Sequence, residues 1–269
     1  MNEGYVEVSQ GRIFYRSTGQ GEPIVLIHGN FNDHHIWDEQ VDPLSSLAQV
    51  ICYDLRGYGL SSTPTTAFSH VKDLKALLDH LQVEAVTLIG SSLGGSVAVD
   101  FALAYPDRIR RLVLVSPSLS GSRYPTKMIW HGIANALRLR FRGPDKAIEA
   151  FIHSPFWQYF FPSVHKEEAR RKVLANVRNP RNFYRFPLSI SGAEKKPALP
   201  RLHELDSPTL ILISDQDHPY NQKTADTLHR QIHGSALAVF PGCGHLPFVE
   251  EPEEFQKQVL GFLRKEGTR

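Results

Sequence analysis

Residues 84–105 read Glu-Ala-Val-Thr-Leu-Ile-Gly-Ser-Ser-Leu-Gly-Gly-Ser-Val-Ala-Val-Asp-Phe-Ala-Leu-Ala-Tyr. Residues 85–89 form an apolar, β-branched run of the length of a strand buried on both faces, and from Val97 onward apolar residues return at helical spacing. A strand therefore turns directly into a helix at Gly90-Ser91-Ser92-Leu93-Gly94, a Gly-x-Ser-x-Gly turn with a further small residue at Gly95. So tight a turn leaves no room for bulk two residues to either side of its centre. Centring it on Ser92 puts Gly90 and Gly94 at those positions, whereas centring it on Ser91 would put Ile89 and Leu93 there. Ser92 is the candidate nucleophile. Its hydroxyl is expected above the sheet edge at a helix N-terminus, where the Leu93 N–H is free to bind a developing oxyanion.

The 269 residues suit one large domain, or one domain with a sizeable insertion. A formal charge of +2 and dispersed aromatic residues give no nucleic-acid footprint. Cys52 and Cys243 lie far apart without metal-ligand spacing and read as free thiols in a reducing compartment. The first residues show no basic or apolar leader pattern. The longest apolar stretch is the elbow segment itself, broken by glycines, serines and Asp100, so a cytoplasmic protein without a membrane span is expected.

Moving outward, residues 5–9 and 12–17 alternate around Gln10-Gly11 as an edge hairpin with one wet face. Residues 23–27 and 50–53 are solid apolar runs, read as covered parallel strands, and 36–47 is loosely helical. The first of these strands ends in His28-Gly29-Asn30-Phe31, whose glycine lets the backbone come close, and the Asn30 N–H is the candidate second oxyanion donor. The second ends in residues 54–61, where Asp54 and Arg56 with Gly57 and Gly59 are expected to pin a loop, Tyr58 being the one side chain there placed to touch substrate. Residues 69–81 put Val71, Leu74, Leu77, Leu78 and Leu81 on one helical face behind a Ser69 cap.

Residues 111–116 give the next strand and 209–213 the one after, with over eighty residues between them, far more than a crossover needs. Residues 119–203 therefore read as an insertion, helical over 127–139, 145–152 and 166–177, leaving the sheet at the edge where Ser92 is expected. It is expected to fold as a cap, with Trp130, Phe156, Trp157, Tyr159, Phe160 and Phe161 lining its underside. The rest, 1–118 and 204–269, is the core domain. After the insertion come a helix over 224–232, a last strand over 236–240 and a closing helix over 252–263 with Phe255, Val259 and Phe262 inward. Two polar groups follow strand ends here, the Asp215/Asp217 pair and His245 in a glycine-framed loop that would return it over Ser92. A serine hydroxyl needs such an imidazole base and an acid to hold its tautomer.

His28-Gly29, Asp54-x-Arg56-Gly57-x-Gly59-x-Ser61, Gly90-x-Ser92-x-Gly94-Gly95 and Gly244-His245 together resemble the α/β-hydrolase superfamily. The branch resembled is that of small esterases, enol-lactonases, carbon–carbon bond hydrolases and cofactor-free perhydrolases. The resemblance covers nearly the whole chain except the cap, and implies a mostly parallel eight-stranded sheet with helices on both faces. It implies a Ser92, Asp217, His245 triad, Asp217 standing three residues after Ser214 where the family has a glycine, with Asp215 as the other choice. It also implies a small-molecule ester or lactone substrate and no cofactor or metal. The related dehalogenases and epoxide hydrolases use an aspartate at the elbow, which Ser92 contradicts, and the multi-glycine oxyanion loop of many lipases is missing. The expected activity is hydrolysis of a carboxylic ester through an acyl-enzyme. Enol-lactone or carbon–carbon cleavage of a carboxylate-bearing substrate is the alternative, and a cap-dependent ligand receptor is the alternative of another class.

Residues 119–203 carry sixteen Lys and Arg against five acids, a net +11, which leaves −9 for the remainder of the chain. Such a cap is held electrostatically on an acidic core, and its arginines could also recruit an anionic substrate or touch an anionic membrane surface.

Overall fold

In the computed structural model, which describes residues 1–183, 186, 190 and 196–264, a single eight-stranded sheet runs through the chain. Its strands are β1 (Asn2–Val8), β2 (Gly11–Thr18), β3 (Pro23–Ile27), β4 (Gln49–Tyr53), β5 (Val86–Ser91), β6 (Ile109–Val115), β7 (Thr209–Ser214) and β8 (Ala236–Phe240), in the order β1-β2-β4-β3-β5-β6-β7-β8. β1, β2 and β4 pair antiparallel and every other pairing is parallel. The solid apolar runs are explained by what covers them. Because side chains alternate along a strand, Val25, Ile27, Leu88, Leu112 and Ile211 join one core, while Ile24, Leu26, Ile89, Val113 and Leu212 join the other.

The helices that cover these faces are α1 (Asp38–Ser45), α2 (His70–His80) and α3 (Leu93–Ala104). In α2, Ser69 caps the N-terminus by accepting from the Lys72 N–H, and Leu74, Leu77 and Leu78 are fully buried, each contributing about 1.5–3 kcal/mol by leaving water. Between β6 and β7 lie α4 (Thr126–Arg142), α5 (Pro144–Ile152), a 3-10 segment (Pro155–Phe160) and α6 (Glu167–Arg178). The chain closes with α7 (Pro219–Gln231), α8 (Pro247–Glu250) and α9 (Pro252–Leu263); α7 begins five residues before the helix expected from the pattern, because Pro219 starts it behind His218. Among the described residues no helix is long and apolar enough to cross a membrane.

The helices between β6 and β7 are fastened to the rest of the chain by a buried polar joint and by ion pairs of two lysines. Asp33, 3% exposed, accepts from the side chains of Asn176, Asn179 and Asn182, and its own N–H donates to Asn176 Oδ1 at 3.1 Å. Burial alone would raise the Asp33 pKa, but the bonds from His35, Asn182 and Asn176 hold its carboxyl well below the usual carboxylate range. Lys172 pairs with Glu39, and Lys166 with Glu251 at 2.7 Å. Trp130 departs from the expected lining: it is 69% exposed on the outer side of α4. Arg185, Glu194 and Lys195, counted above in the insertion's charge, lie outside the described residues.

Candidate active site

Ser92 joins β5 to α3 with φ 53° and ψ −113°, a conformation that costs a non-glycine residue about 1–3 kcal/mol and persists only where the surroundings enforce it. The enforcement is visible. Its N–H donates to Val115 O at 2.9 Å, and its carbonyl accepts from Ser118 N and Ser96 N. A Cβ on Gly90 would overlap the carbonyl of Gly94, and one on Gly94 would overlap that of Ile27, so both positions exclude any larger residue. Ser91 is fully buried and its hydroxyl finds no hydrogen-bond partner among the described residues, whereas Ser92 keeps 9% exposure.

Beyond β7, the Asp217 carboxylate lies 3.0 and 3.1 Å from His245 Nδ1. A carboxylate only accepts, so Nδ1 carries the proton and Nε2 is left with its lone pair, the tautomer a general base requires. Asp217 Oδ1 also accepts from the His218 N–H at 2.6 Å, and the Asp217 side chain is wholly buried. Asp215 is placed otherwise, its Oδ1 accepting from Gly242 N at 2.8 Å, where it pins the turn after β8. The His245 loop is gripped from two sides: its own N–H donates to Tyr159 O at 2.9 Å, and Gly244 N donates to buried Glu250 at 2.9 Å. Tyr159 presents its ring edge-on to the imidazole at 5.9 Å between centroids and Phe160 lies at 5.6 Å. His218 packs against Tyr159 and Phe156; burial lowers its pKa, which the neighbouring His245 reinforces and Asp217 opposes.

The loop after β3 approaches the same serine. A Cβ on Gly29 would come within 2.9 Å of Ser92 Cβ and 3.6 Å of Ser92 Oγ. Fully buried His28 donates from Nδ1 to Gly29 O at 2.8 Å and accepts at Nε2 from Leu55 N at 3.0 Å. Both ring nitrogens are committed to a neutral imidazole, in accord with the lowering of its pKa by burial. Asn30 is oriented by Tyr58, whose hydroxyl donates to Asn30 Oδ1 at 2.6 Å, and Phe31 follows with a positive φ of 64°. Leu93 is the first residue of α3, so its N–H has no acceptor within the helix. Asp54 pins the loop after β4, accepting from His34 N and Nδ1 and from Leu60 N, while Arg56 forms a buried pair with Asp73. Asp33, His34 and His35 gather their ligand atoms within 4.8 Å. The Asp33 carboxylate already accepts from His35 Nδ1 and three asparagines, and His34 Nδ1 is bonded to Asp54.

Thus the structure brings Asp217 to His245 and the Asn30 loop to Ser92, with all these loops at the carboxyl edge of the parallel strands. Sequence reading missed His218 and the grip of Tyr159 on the His245 backbone. The Tyr159 grip has no local signal, since it reaches His245 across the whole of β7 and β8, whereas His218 is marked by standing directly after Asp217.

A family model described as alpha/beta hydrolase fold matches residues 22–252. The chain is 26% identical to 2-hydroxy-6-oxo-6-phenylhexa-2,4-dienoate hydrolase of Comamonas testosteroni, over 96% of this chain and 93% of that protein. It is 29% identical to 2-hydroxy-6-oxononadienedioate/2-hydroxy-6-oxononatrienedioate hydrolase of Escherichia coli strain K12, over 94% and 91%. Among solved structures, a thermophilic esterase from Thermogutta terrifontis superposes with a TM-score of 0.81 at 27% identity, covering 98% of both chains. The strand order, the glycine-framed turn at Ser92 and these likenesses converge: the chain belongs to the alpha/beta hydrolase fold family and is one of its hydrolases.

Proposed function

We propose that the chain cleaves a carboxylic ester of small or medium acyl size through an acyl-enzyme, with Ser92, His245 and Asp217 as its triad. The observation that carries the reading is the strained Ser92 turn standing at the same sheet edge as a buried His245 whose Nδ1 is held by Asp217. Ser92 Oγ attacks the carbonyl carbon while His245 Nε2 takes the hydroxyl proton; Asp217 stabilises the resulting imidazolium and keeps the ring aligned. Negative charge on the carbonyl oxygen falls to the N–H groups of Leu93 and Asn30, preorganised by the start of α3 and by the Tyr58 bond to Asn30. His245 then protonates the leaving alcohol, and a water deprotonated by the same imidazole releases the acid. Residues 119–203 act as a cap whose Tyr159 and Phe160 give the acyl group an apolar wall beside His245. The unpaired Cys52 and Cys243 support work in a reducing, cytoplasmic setting.

A second reading is carbon–carbon cleavage of a carboxylate-bearing 6-oxo-dienoate, favoured by the curated relatives above, which act on such compounds by name. The same nucleophile, base and oxyanion donors serve both reactions. A panel of p-nitrophenyl esters, a lactone and a 6-oxo-dienoate, each run beside Ser92→Ala, decides between them. The ester reading expects a kcat on the order of 1 per second or more on at least one ester. A kcat/KM for the dienoate about 100-fold above every ester replaces it with the second reading, and stoichiometric, single-turnover release on all substrates makes the protein a receptor.

A further inference from the structure

α4 carries apolar residues on two opposite faces. Its inner face packs on the rest of the insertion, with Met128 and Leu139 against the core and the His131 ring stacked on Phe156 at 4.0 Å. Its outer face holds Ile129, Trp130, Ile133, Leu137 and Phe141, which are 48, 69, 42, 52 and 77% exposed. Spacings of three and four residues put these five on one stripe about 18 Å long at 1.5 Å per residue. Isolated surface apolar residues are ordinary, but a continuous stripe along a helix marks a surface that meets something.

The charges say what it meets. Arg123, Lys127, Arg138, Arg140 and Arg142 lie on or just before α4, and residues 121–143 contain no Asp or Glu. A two-fold pairing of this face with a second copy would set Arg140, within the stripe, and the cations flanking the helix close to their own copies, because such an interface repeats one patch on both partners. An anionic bilayer surface complements both features, taking the apolar stripe at the acyl boundary while the long basic side chains reach lipid phosphates. We infer that the outer face of α4 docks the protein on anionic lipid membranes, lying flat in the interface without crossing it. The inference stands apart from the ester reading, since its residues take no part in the chemistry and its readout is binding.

The full chain is mixed with vesicles of phosphatidylcholine alone or with about one-third phosphatidylglycerol, and bound protein is separated by flotation. Trp37 is fully buried and Trp157 is 6% exposed, so Trp130 reports the outer face in the unmodified protein. Its emission is expected to shift to the blue with anionic vesicles, and bound protein to fall at least about tenfold at high salt. Trp130→Glu with Leu137→Glu is expected to abolish flotation, and Arg138→Gln with Arg140→Gln and Arg142→Gln to reduce it about tenfold or more, with turnover of a soluble ester unchanged. No flotation and no emission shift of the unmodified protein overturns the inference, as does equal flotation of the Glu variant. A dimer in sedimentation that the Glu variant splits, without vesicle binding, assigns the face to a second copy.

Discussion

Two buried aspartates at the carboxyl edge of the sheet each hold a histidine by Nδ1, yet their surroundings set them to different work. Asp54, after β4, lies 2.8 Å from His34 Nδ1, and Asp217, after β7, lies 3.0 Å from His245 Nδ1. Asp54 also accepts the backbone N–H groups of His34 and Leu60, and its partner is packed between Phe14 and His35. The Asp54 carboxylate thus ties the segment after β3 to the loop after β4. Asp217 accepts one backbone N–H, that of His218, and brings both oxygens to His245, whose loop is gripped by Tyr159 and Glu250. A carboxylate–imidazole pair is therefore no signature of catalysis by itself. What counts is which elements position it and whether a strained serine stands at the same edge.

Substitutions separate the two pairs. Ser92→Ala or His245→Ala is expected to lower kcat on the best ester by about 10⁴–10⁶, the double variant little further, because the two act as a unit. Asp217→Asn is expected to cost about 10⁴ in kcat with an unchanged far-ultraviolet spectrum, since an amide can hold the wrong tautomer. Asp54→Asn should invert that pattern: kcat within about tenfold of the parent, but a stability loss of about 1–3 kcal/mol in urea unfolding as buried donors lose their acceptor.

The Asp33 joint gives the pH-dependent case. Its folded pKa is depressed, so its contribution is present above the unfolded value of about 4 and fades as pH falls below it. The stability gap between the parent and Asp33→Asn is expected to be largest at about pH 5 to 6, where His35, whose pKa Asp33 raises, is also charged, and to shrink as pH falls below about 4, as read by unfolding midpoints. Asp215→Asn should have the smallest effect of the set, within a few-fold of parental kcat, because among the described residues the Asp215 carboxylate holds just the Gly242 N–H of an exposed turn.

What could be read from the chain beforehand follows from the range of the forces involved. The turn at Ser92 was legible because sterics act locally: Gly90 and Gly94 meet backbone carbonyls wherever the rest of the molecule goes. The buried strands were legible because helices on both faces demand unbroken apolar runs, as in Val25, Leu26 and Ile27. The insertion was harder. α4 has apolar residues on both faces, so its pattern fixes a helix but not which side turns inward, and Trp130 lies on the outer one. The Asp33 joint links positions over 140 residues apart in the chain, and nothing near Asn176, Asn179 or Asn182 announces a shared partner.

Covalent labelling reads out whether Ser92 is the nucleophile that its strained turn presents. The protein is treated with a fluorophosphonate ester, digested and mapped by mass spectrometry, in the parent, Ser92→Ala, Ser91→Ala and His245→Ala forms. One adduct is expected, on the peptide at Ser92, kept in Ser91→Ala, absent in Ser92→Ala and formed far more slowly in His245→Ala. An adduct that survives Ser92→Ala and disappears in Ser91→Ala would contradict that assignment.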